Sequence, residues 1–333
     1  MAVESSGAAR RTLCAVSPCY NEAAGIRASH AELRRVLGTL PDLDQRIVLV
    51  DDGSADETLR VLNEIAAADP RVRVYSLSRN FGHQVALTAG CDVARGDVFV
   101  LMDSDLQHPP ELIPAMVERW RAGADVVSAV RKRTADASFF KRVTARLFYG
   151  LINAVSETHV VPDAADFVLL SAKARAALVH MPERHRFLRG MVSWIGFRRE
   201  LIEYVAPARQ AGESSYTLRK MLGLATDALF SSAPVRLATR LGLGVVGLGI
   251  LYLVYIVYSL VVHPERIVPG WTSLIGVVLI LSGVQIVFIG VIGEYIARIF
   301  DEAKGRPLYF FKQQPDDETG SGRADPPPHA RPR

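Results

Sequence analysis

The sequence predicts an α/β domain built on a mainly parallel sheet, followed by a pair of helices that cross a membrane. Residues 12–130 alternate short apolar runs with helical patterns, which is typical of a parallel sheet covered on both faces. Two later runs, 241–262 and 267–293, contain no charged residue, and each exceeds the roughly 20 residues that a helix needs to cross a bilayer. Acidic residues also stand where the predicted strands end.

The elements of the α/β part follow from the spacing of apolar residues. Short apolar runs bounded by polar residues predict strands at 13–17, 46–50, 72–77, 98–102 and 125–130. Helical periodicity between them predicts helices at 23–40, 55–68, 82–94 and 110–122. Beyond residue 134 the pattern changes and predicts an amphipathic helix at 139–155, short strands and turns at 184–205, and a helix at 216–229.

The predicted organisation joins a cytoplasmic α/β domain to a membrane hairpin. Its segments are a flexible N-terminus at 1–11, the α/β domain at 12–215, interfacial amphipathic helices at 216–240, a transmembrane helix at 241–262, an external loop at 263–270, a second transmembrane helix at 271–293 and a cytoplasmic tail at 294–333. The tail is expected to be disordered from about residue 313, because it is rich in Pro, Gly and charged residues.

Basic residues lie before the first apolar run and after the second, but are scarce in the connector between them. Arg236 and Arg240 precede the first run, the connector contains only Arg266, and Arg298, Lys304, Arg306 and Lys312 follow the second run. Since cytoplasmic flanks carry the excess of Lys and Arg, both termini are expected in the cytoplasm, with the hairpin in an inner or plasma membrane. Helices buried in a protein core are the alternative interpretation of the two runs.

The composition argues against some classes of protein. The net charge of +4 over 333 residues is small and dispersed, so nucleic acid is not expected as a partner. Cys14, Cys19 and Cys91 have no metal-binding spacing and cannot all pair, which favours a reducing cytosolic setting. Residues 1–11 contain no apolar segment of the kind found in signal peptides. Whether the chain forms a homo-oligomer stays open.

Asp103 and Asp105 form the most informative pattern in the chain. They follow the buried strand predicted at 98–102, so both carboxylates lie at its carboxyl end, where open α/β sheets bind ligands. Mg²⁺ prefers oxygen ligands, and it often uses one or two protein carboxylates together with water and substrate phosphates. The pair therefore predicts a divalent metal site, with a solvated Asp-x-Asp turn as the alternative.

Two other strand ends place polar residues at the same predicted edge. The first strand leads into residues 18–22, and the second leads into Asp51 and Asp52, whose carboxylates can accept hydrogen bonds from a nucleobase or a ribose. Helix capping is the alternative role for one of these two. A loop with Arg79 opens the third helix and indicates a diphosphate or base contact, unless it is a plain turn. His83 is a weaker candidate, because a histidine at a helix start is usually a cap or a surface group.

Together these residues resemble the family-2 inverting glycosyltransferases of GT-A fold, and within them the polyprenyl-phosphate sugar transferases. That group includes dolichyl-phosphate mannose synthase and the bacterial undecaprenyl-phosphate glucosyltransferases. The resemblance runs from residue 13 to about 309 and rests on motifs at 18–22, 50–54, 79–82, 102–107, 186–190, 194–197, 211–216, 293–295 and 306–307. The chain departs from the family at Ala165, where Gly is usual, and at Ser215, where Lys is frequent.

The resemblance implies a GT-A nucleotide-sugar-binding domain and its site residues. A donor sugar carrying UDP or GDP is expected to contact Pro18, Tyr20, Asn21, Glu22, Asp51, Asp52, Arg79, Asn80, Gly82, Asp103, Ser104 and Gln107. A Mg²⁺ or Mn²⁺ ion is expected at Asp103 and Asp105. These two residues and Asp166 are the catalytic candidates, and Asp166 is expected to orient the acceptor or to remove its proton.

An acceptor phosphate requires cationic partners. Arg131, at the end of the fifth predicted strand, is the first choice, followed by Arg142 and Arg146, for which a solvated surface is the alternative. Arg189 and Ser215 complete the expected set of acceptor-phosphate contacts. Glu213 and Tyr216 are expected to shape a loop over the site.

The predicted activity is the transfer of a hexose from a nucleotide sugar, with UDP-glucose favoured, to a membrane polyprenyl phosphate. The anomeric centre is expected to invert, and the product would be a polyprenyl-phosphate sugar used in cell-envelope glycosylation. A GDP-mannose-dependent polyprenyl-phosphate mannose synthase is one alternative. A non-catalytic nucleotide-binding membrane partner is the other.

Overall fold

The structure is a computed structural model, and it describes residues 10–131, 164–204 and 271–315. Of these, 306–315 belong with the first two stretches to one compact unit, and 271–305 belong to a second unit. Three predicted helices lie outside the described residues, namely those at 139–155, 216–229 and 241–262.

The described residues form eight strands, seven α-helices and one short 3₁₀ helix at Pro110–Leu112. The strands are β1 (Thr12–Cys19), β2 (Asp44–Asp51), β3 (Val72–Leu77), β4 (Val98–Leu101), β5 (Val126–Arg131), β6 (Ala164–Ser171), β7 (Arg199–Tyr204) and β8 (Phe311–Gln313). The helices are α1 (Ile26–Leu37), α2 (Thr58–Ala68), α3 (His83–Val93), α4 (Ile113–Arg121), α5 (Ala172–His180), α6 (Leu188–Trp194) and α7 (Trp271–Ala303). The five strands and four helices predicted up to residue 130 are confirmed.

All eight strands join one sheet in the order β7-β5-β6-β4-β1-β2-β3-β8. The pairs β1–β2, β1–β4, β2–β3 and β5–β7 are parallel, whereas β6 is antiparallel to both of its neighbours and β8 is antiparallel to β3. The prediction of an α/β fold with a mainly parallel sheet is therefore confirmed. The two antiparallel strands were not predicted from the sequence.

The short strands and turns predicted at 184–205 are only partly correct. Residues 199–204 do form β7, but Leu188–Trp194 form the helix α6. The buried residues of this helix are Leu188, Met191 and Val192, spaced three and four apart. Because of this spacing, one face of α6 packs on the sheet. A helix of seven residues is too short for helical periodicity to be recognised in the sequence.

Both faces of the sheet are buried, as a mainly parallel sheet requires. Along β1, Leu13 and Ala15 pack into a core with α1, α2 and α4, whereas Cys14 and Val16 pack into a second core with α3, α5 and α6. These four residues are fully buried, which explains why β1 is a continuous apolar run rather than an alternating one. The sheet edges are thereby left as the places where polar groups can meet solvent.

The last strand, β8, follows the segment that was predicted to form a membrane hairpin. β8 pairs with the end of β3, and Gln313 is part of it, so regular structure extends to the residue where the disordered tail was expected to begin. Residues 316–333 lie outside the described residues. In the stretches that the structure describes, no helix is long and apolar enough to cross a membrane.

Gly90 on α3 lies directly against the sheet. A Cβ at this position would overlap Cγ1 of Val16 and lie 3.1 Å from Cγ2 of Val50. We expect Gly90→Ala to destabilise the protein by about 1–3 kcal/mol through overpacking. Helix propensity alone would favour Ala by about 1 kcal/mol, so a loss of stability isolates the packing effect. The measurement is the thermal midpoint of the purified protein, followed by circular dichroism.

Gly25 supplies the control for this prediction. Its φ is −100°, and a Cβ there would have Oε2 of Glu22 as its nearest neighbour at 3.7 Å. Gly25→Ala should therefore change stability by no more than about 0.5 kcal/mol, as surface substitutions usually do. Equal effects of the two substitutions, or a more stable Gly90→Ala protein, would contradict the packing described here.

Candidate active site

The candidate site lies at the sheet edge where β1, β2, β3 and β4 end. Because these strands are parallel, the residues that follow them share one edge. β6 runs in the opposite direction, so its first residues reach the same edge. β4 and β6 pair Leu101 with Val168, and the same register continued by two residues places Asp103 opposite Asp166.

The carboxylate of Asp103 lies between two histidines. Its backbone N–H donates to Nδ1 of His108 at 3.1 Å, and its Oδ2 lies 3.6 Å from Nε2 of that ring. Oδ1 lies 3.3 Å from Nε2 of His83, yet it is buried and receives no hydrogen bond within the described part of the chain. Burial raises the pKa of Asp103 to about 6; His108 opposes this rise, whereas the charges of Asp166 and Asp105 add to it.

The turn after Asp103 presents Asp105 to solvent. The Asp105 carboxylate accepts hydrogen bonds from the backbone N–H of Gln107 at 3.0 Å and from its side-chain amide at 2.7 Å. Leu106 between them has a φ of 57°, so the chain turns sharply. The buried hydroxyl of Ser104 donates to the carbonyl of Pro18 at 3.0 Å and so joins the ends of β4 and β1.

Asp166 is buried and tightly hydrogen-bonded. Arg189 on α6 donates from Nε to Oδ1 at 2.7 Å and from a terminal nitrogen to Oδ2 at 3.0 Å, and the amide of Gln84 donates to Oδ2 at 3.1 Å. Burial alone would raise the pKa of Asp166, but the bonds and charge of Arg189, aided by His83 and Gln84, outweigh it and lower the pKa. Arg189, predicted as an acceptor-phosphate contact, therefore lies on Asp166.

Two histidines belong to the site, although His83 was only a weak candidate and His108 was not predicted. Nε2 of His83, the first residue of α3, lies 3.8 Å from Oδ2 of Asp166 as well as close to Asp103. The ring of His108 stacks on Phe167 with centroids 5.4 Å apart. Burial lowers the pKa of both histidines, and the neighbouring aspartates oppose that shift. The sequence signal that could have indicated His108 was its position five residues after Asp103.

The carboxylates of Asp51 and Asp52 accept hydrogen bonds from neighbouring segments of the chain. Asp51 accepts hydrogen bonds from the N–H of Ser54 at 3.0 Å and from the hydroxyl of Ser76 at 2.8 Å. Asp52 accepts the N–H groups of Phe81 at 2.8 Å and Gly82 at 3.0 Å, and burial raises its pKa against those bonds. Both residues are almost fully buried. Their observed contacts shape the loop at 78–82 and the turn that follows β2.

The residues after β1 form a turn with an exposed aromatic ring. Asn21 has a φ of 54°; its N–H donates to the hydroxyl of Ser54 at 3.0 Å, and its Oδ1 accepts the N–H of Ala55 at 2.9 Å. The Tyr20 side chain beside it is 46% exposed. Burial, followed by the charge of Asp105, raises the pKa of Glu22. The turn thus presents an aromatic face and a carboxyl group at the site edge.

The predicted cationic residues are placed differently from one another. The guanidinium of exposed Arg79 lies 4.2 Å from the ring centroid of Phe81 and donates to the carbonyl of Asn80 at 3.3 Å. Arg131 ends β5 at the site edge, exposed and in register with Tyr204 of β7. The other predicted contacts lie outside the described residues, namely Arg142, Arg146, Glu213, Ser215 and Tyr216.

The carboxylates fit a divalent cation that also binds substrate oxygens. Within residues 10–131, 164–204 and 271–315, no group of three or more His, Cys, Asp and Glu side chains is arranged to hold a metal by itself. Mg²⁺ needs only one or two protein carboxylates when phosphates and water complete its shell. The buried Oδ1 of Asp103 lacks a hydrogen-bond donor among the described residues, and exposed Asp105 lies two residues away. These two residues are the ones suited to such an ion.

Two family models match the chain in different regions. Residues 14–175, which include the sheet edge from Pro18 to Asp166, match the family described as Glycosyl transferase family 2. Residues 233–299 match the family described as GtrB C-terminal hairpin.

Full-length relatives agree with these matches. The uncharacterized glycosyltransferase YkcC of Bacillus subtilis is 42% identical over 90% of this chain and 92% of its own length. The bactoprenol glucosyl transferase of Shigella phage SfV is 38% identical over 90% of this chain and 97% of its own. The prophage bactoprenol glucosyl transferase homolog of Escherichia coli is 37% identical over the same shares. The chain therefore belongs to glycosyl transferase family 2 and is a glycosyltransferase.

Proposed function

We propose that this glycosyltransferase transfers glucose from UDP-glucose to a polyprenyl phosphate in the membrane, with inversion at the anomeric carbon. Relatives named as bactoprenol glucosyl transferases are 37–38% identical over 90% of the chain, which supports both the sugar and the lipid class. The hairpin match at 233–299 supports a membrane-bound acceptor. The product would serve as a lipid-linked sugar donor for cell-envelope glycosylation.

The observation that carries the chemistry is the convergence of Asp103 and Asp166 at one sheet edge. Oδ1 of Asp103 is buried and accepts no hydrogen bond among the described residues, whereas Asp166 accepts hydrogen bonds from Arg189. A site with one unsatisfied carboxylate and one satisfied carboxylate suits a donor diphosphate bound with a cation beside an acceptor. Tyr20 and Arg79, exposed at the same edge, provide surfaces on which a base and phosphates can lie.

The metal that fits this site is Mg²⁺ or Mn²⁺, with Asp103 and Asp105 as its protein ligands. Bound there, the ion would supply neutralisation of the charge that develops on the departing nucleotide diphosphate. The protein itself holds the acidic turn in place through Ser104, whose hydroxyl is bonded to the Pro18 carbonyl, and through the His108 ring, which accepts the Asp103 N–H.

Asp166 orients groups at the site rather than removing a proton. Arg189 holds its pKa below the usual value, so its carboxylate is a weak base at neutral pH. A phosphate monoester has its second pKa near 6, so at pH 7 the acceptor is largely a dianion and can attack without a strong base. The fixed Asp166 carboxylate and the neighbouring His83 ring then limit where the acceptor and the sugar can lie.

We also propose that the chain is anchored in the inner or plasma membrane by a hairpin of two transmembrane helices. The uncharged runs at 241–262 and 271–293 and the basic residues at Arg236, Arg240 and Arg298 support this arrangement. The catalytic domain and both termini would then be cytoplasmic, where nucleotide sugars are made available to it.

The decisive experiment is product analysis with a panel of labelled nucleotide sugars. Purified enzyme, undecaprenyl phosphate and Mg²⁺ should convert label from UDP-glucose, and not from GDP-mannose, into an acid-labile lipid with a single phosphate. Transfer from GDP-mannose alone would identify a mannose synthase instead. A diphosphate-linked product would contradict the proposed mechanism, because the enzyme would then be transferring a sugar phosphate.

The matched variant for this assay is Asp105→Asn, which keeps the size of the side chain and removes its charge. It should lower turnover by roughly 100-fold or more, since a bound metal contributes several kcal/mol to transition-state stabilisation. Chelation with EDTA should abolish the wild-type activity, and added Mg²⁺ or Mn²⁺ should restore it. Near-normal turnover of Asp105→Asn at saturating donor would show that this carboxylate does not bind the metal.

Arg131→Ala should weaken acceptor binding selectively. Charge-assisted hydrogen bonds contribute about 1.5–3 kcal/mol, so the KM for polyprenyl phosphate should rise about tenfold or more. The KM for the nucleotide sugar should change little, because Arg131 is assigned to the acceptor. Arg131→Lys should restore activity only in part, since an ammonium group cannot form the bidentate contact of a guanidinium.

Arg34→Ala is the control for Arg131. Arg34 is also exposed, but it lies in the last turn of α1, at the end that leads back to the start of β2 and away from the site edge. Its removal should leave both KM values unchanged. An equal rise in the acceptor KM for both variants would indicate a general effect of surface charge on lipid binding.

The proposed topology predicts that residue 265 faces the outside of the cell. In a background without Cys14, Cys19 and Cys91, a Glu265→Cys protein in intact cells should react with an impermeant maleimide. Gly320→Cys should react only after the cells are opened. Labelling of Gly320→Cys in intact cells, together with protection of Glu265→Cys, would reverse the proposed orientation.

A further inference from the structure

Residues 308–313, called here the returning segment, contact both elements that flank the loop at 78–82. The segment contains β8, whose Phe311 pairs with Leu77 at the end of β3. The N–H of Ser78, the first residue of the loop, donates to the carbonyl of Phe310 at 2.8 Å. The segment therefore fixes the point where β3 ends and the loop begins.

The same segment is also attached to α3, which begins directly after the loop. The hydroxyl of Tyr309 donates to Oδ2 of Asp92 near the end of that helix, at 2.7 Å, and both groups are buried. Burial, together with the carboxylate of Asp92, raises the pKa of Tyr309 above its usual value. The hydroxyl thus keeps its proton at physiological pH and remains a hydrogen-bond donor.

Aromatic packing makes these two attachments continuous. The ring centroid of Phe311 lies 5.3 Å from that of Tyr75 on β3 and 5.0 Å from that of Tyr309. Tyr309 and Leu308 belong to the core that also contains Leu77 of β3 and Leu87 of α3. β3 and α3 are consequently joined by the returning segment as well as by the loop itself.

The loop between these elements has its own partner at the site edge. Asp52 accepts the N–H groups of Phe81 and Gly82, so the path of the loop depends on where its two ends are placed. Exposed Arg79 is the second residue of the loop. A loop whose ends are fixed loses less conformational entropy when a ligand binds, and this raises affinity without adding a contact.

We propose that the returning segment positions the 78–82 loop for binding of the nucleotide part of the donor. Tyr309 is the positioning residue, acting through Asp92 and α3, and it does not touch the substrate. The proposal rests on the proposed function in that it takes the 78–82 loop as a donor contact. Covering the edge of β3 is the simpler structural role of β8, and the experiment separates the two roles.

The test compares Tyr309→Phe with wild-type enzyme in the full-length chain. Loss of the buried hydrogen bond to Asp92 should raise the KM for UDP-glucose and the dissociation constant of UDP by about 3- to 10-fold, which corresponds to about 0.7–1.4 kcal/mol. The kcat and the KM for undecaprenyl phosphate should not change. Phe310→Ala is the matched control, since the Phe310 side chain is 57% exposed and its backbone carbonyl remains available to Ser78.

Hydrogen–deuterium exchange provides a readout that does not require catalysis. In Tyr309→Phe, the amides of Phe81 and Gly82 should exchange faster than in the wild type, whereas those of β1 should exchange at the wild-type rate. Faster exchange throughout the domain, or an equal rise in donor and acceptor KM, would show a merely structural role and overturn the proposal. Unchanged exchange of the loop, or faster exchange with an unchanged UDP affinity, would overturn it as well.

Failure of the proposed function gives a different result. In that case the wild-type enzyme would transfer no glucose to undecaprenyl phosphate, whatever residue stands at 309. The exchange of the loop and the affinity for UDP would still decide whether the returning segment positions the loop.

Discussion

The antiparallel insertion of β6 beside β4 is the constraint on which the site depends. In a purely parallel sheet only strand ends reach the ligand edge, and Asp166 stands near the beginning of its strand. Because β6 runs against β4, its first residues reach that edge, and Nε2 of His83 lies within 3.8 Å of the carboxylates of both Asp166 and Asp103. Phe167 and Leu169 of β6 pack into one core and Val168 and Leu170 into the other, so a shift of one residue would exchange the side chains between the two cores. Packing on both faces of the sheet therefore opposes a change of the register between β4 and β6.

The electrostatics of the edge are asymmetric. Asp166 has a bidentate arginine partner and a lowered pKa, whereas Asp103 is flanked by histidines whose own pKa values are lowered by burial. Burial is the main cause of the raised Asp103 pKa of about 6; His108 opposes the rise, and the repulsion from Asp166 and Asp105 adds to it. A divalent cation at Oδ1 of Asp103 would relieve that repulsion.

Most of the N-terminal half of the fold could be predicted from the sequence, because β1 to β5 and α1 to α4 have strong local patterns. β6 could not be placed, since its pairing with β4 joins residues about 70 apart and no local pattern gives the direction of a strand. The acidic residues at the strand ends could also be predicted, because they directly follow apolar runs in the sequence. His108 was missed because its role depends on the ring of Phe167 and on the backbone of Asp103, and neither contact can be inferred from spacing. Arg189 was predicted as a site residue, but its ion pair with Asp166 was not predicted.

The chain rejoins the α/β unit close to the site residues. Residues 306–313 belong to this unit, and β8 within them pairs with β3 next to the 78–82 loop. The family match at 233–299 precedes this return. Tethering an enzyme to the membrane that contains its acceptor converts a search through solution into a search at the membrane surface, and so raises the effective acceptor concentration. In the proposed function, this return path would connect the membrane anchor directly to the loop that is proposed to bind the donor. A soluble acceptor would place no such demand on the chain, and this is the physical reason why the hairpin and the lipid acceptor belong in one proposal.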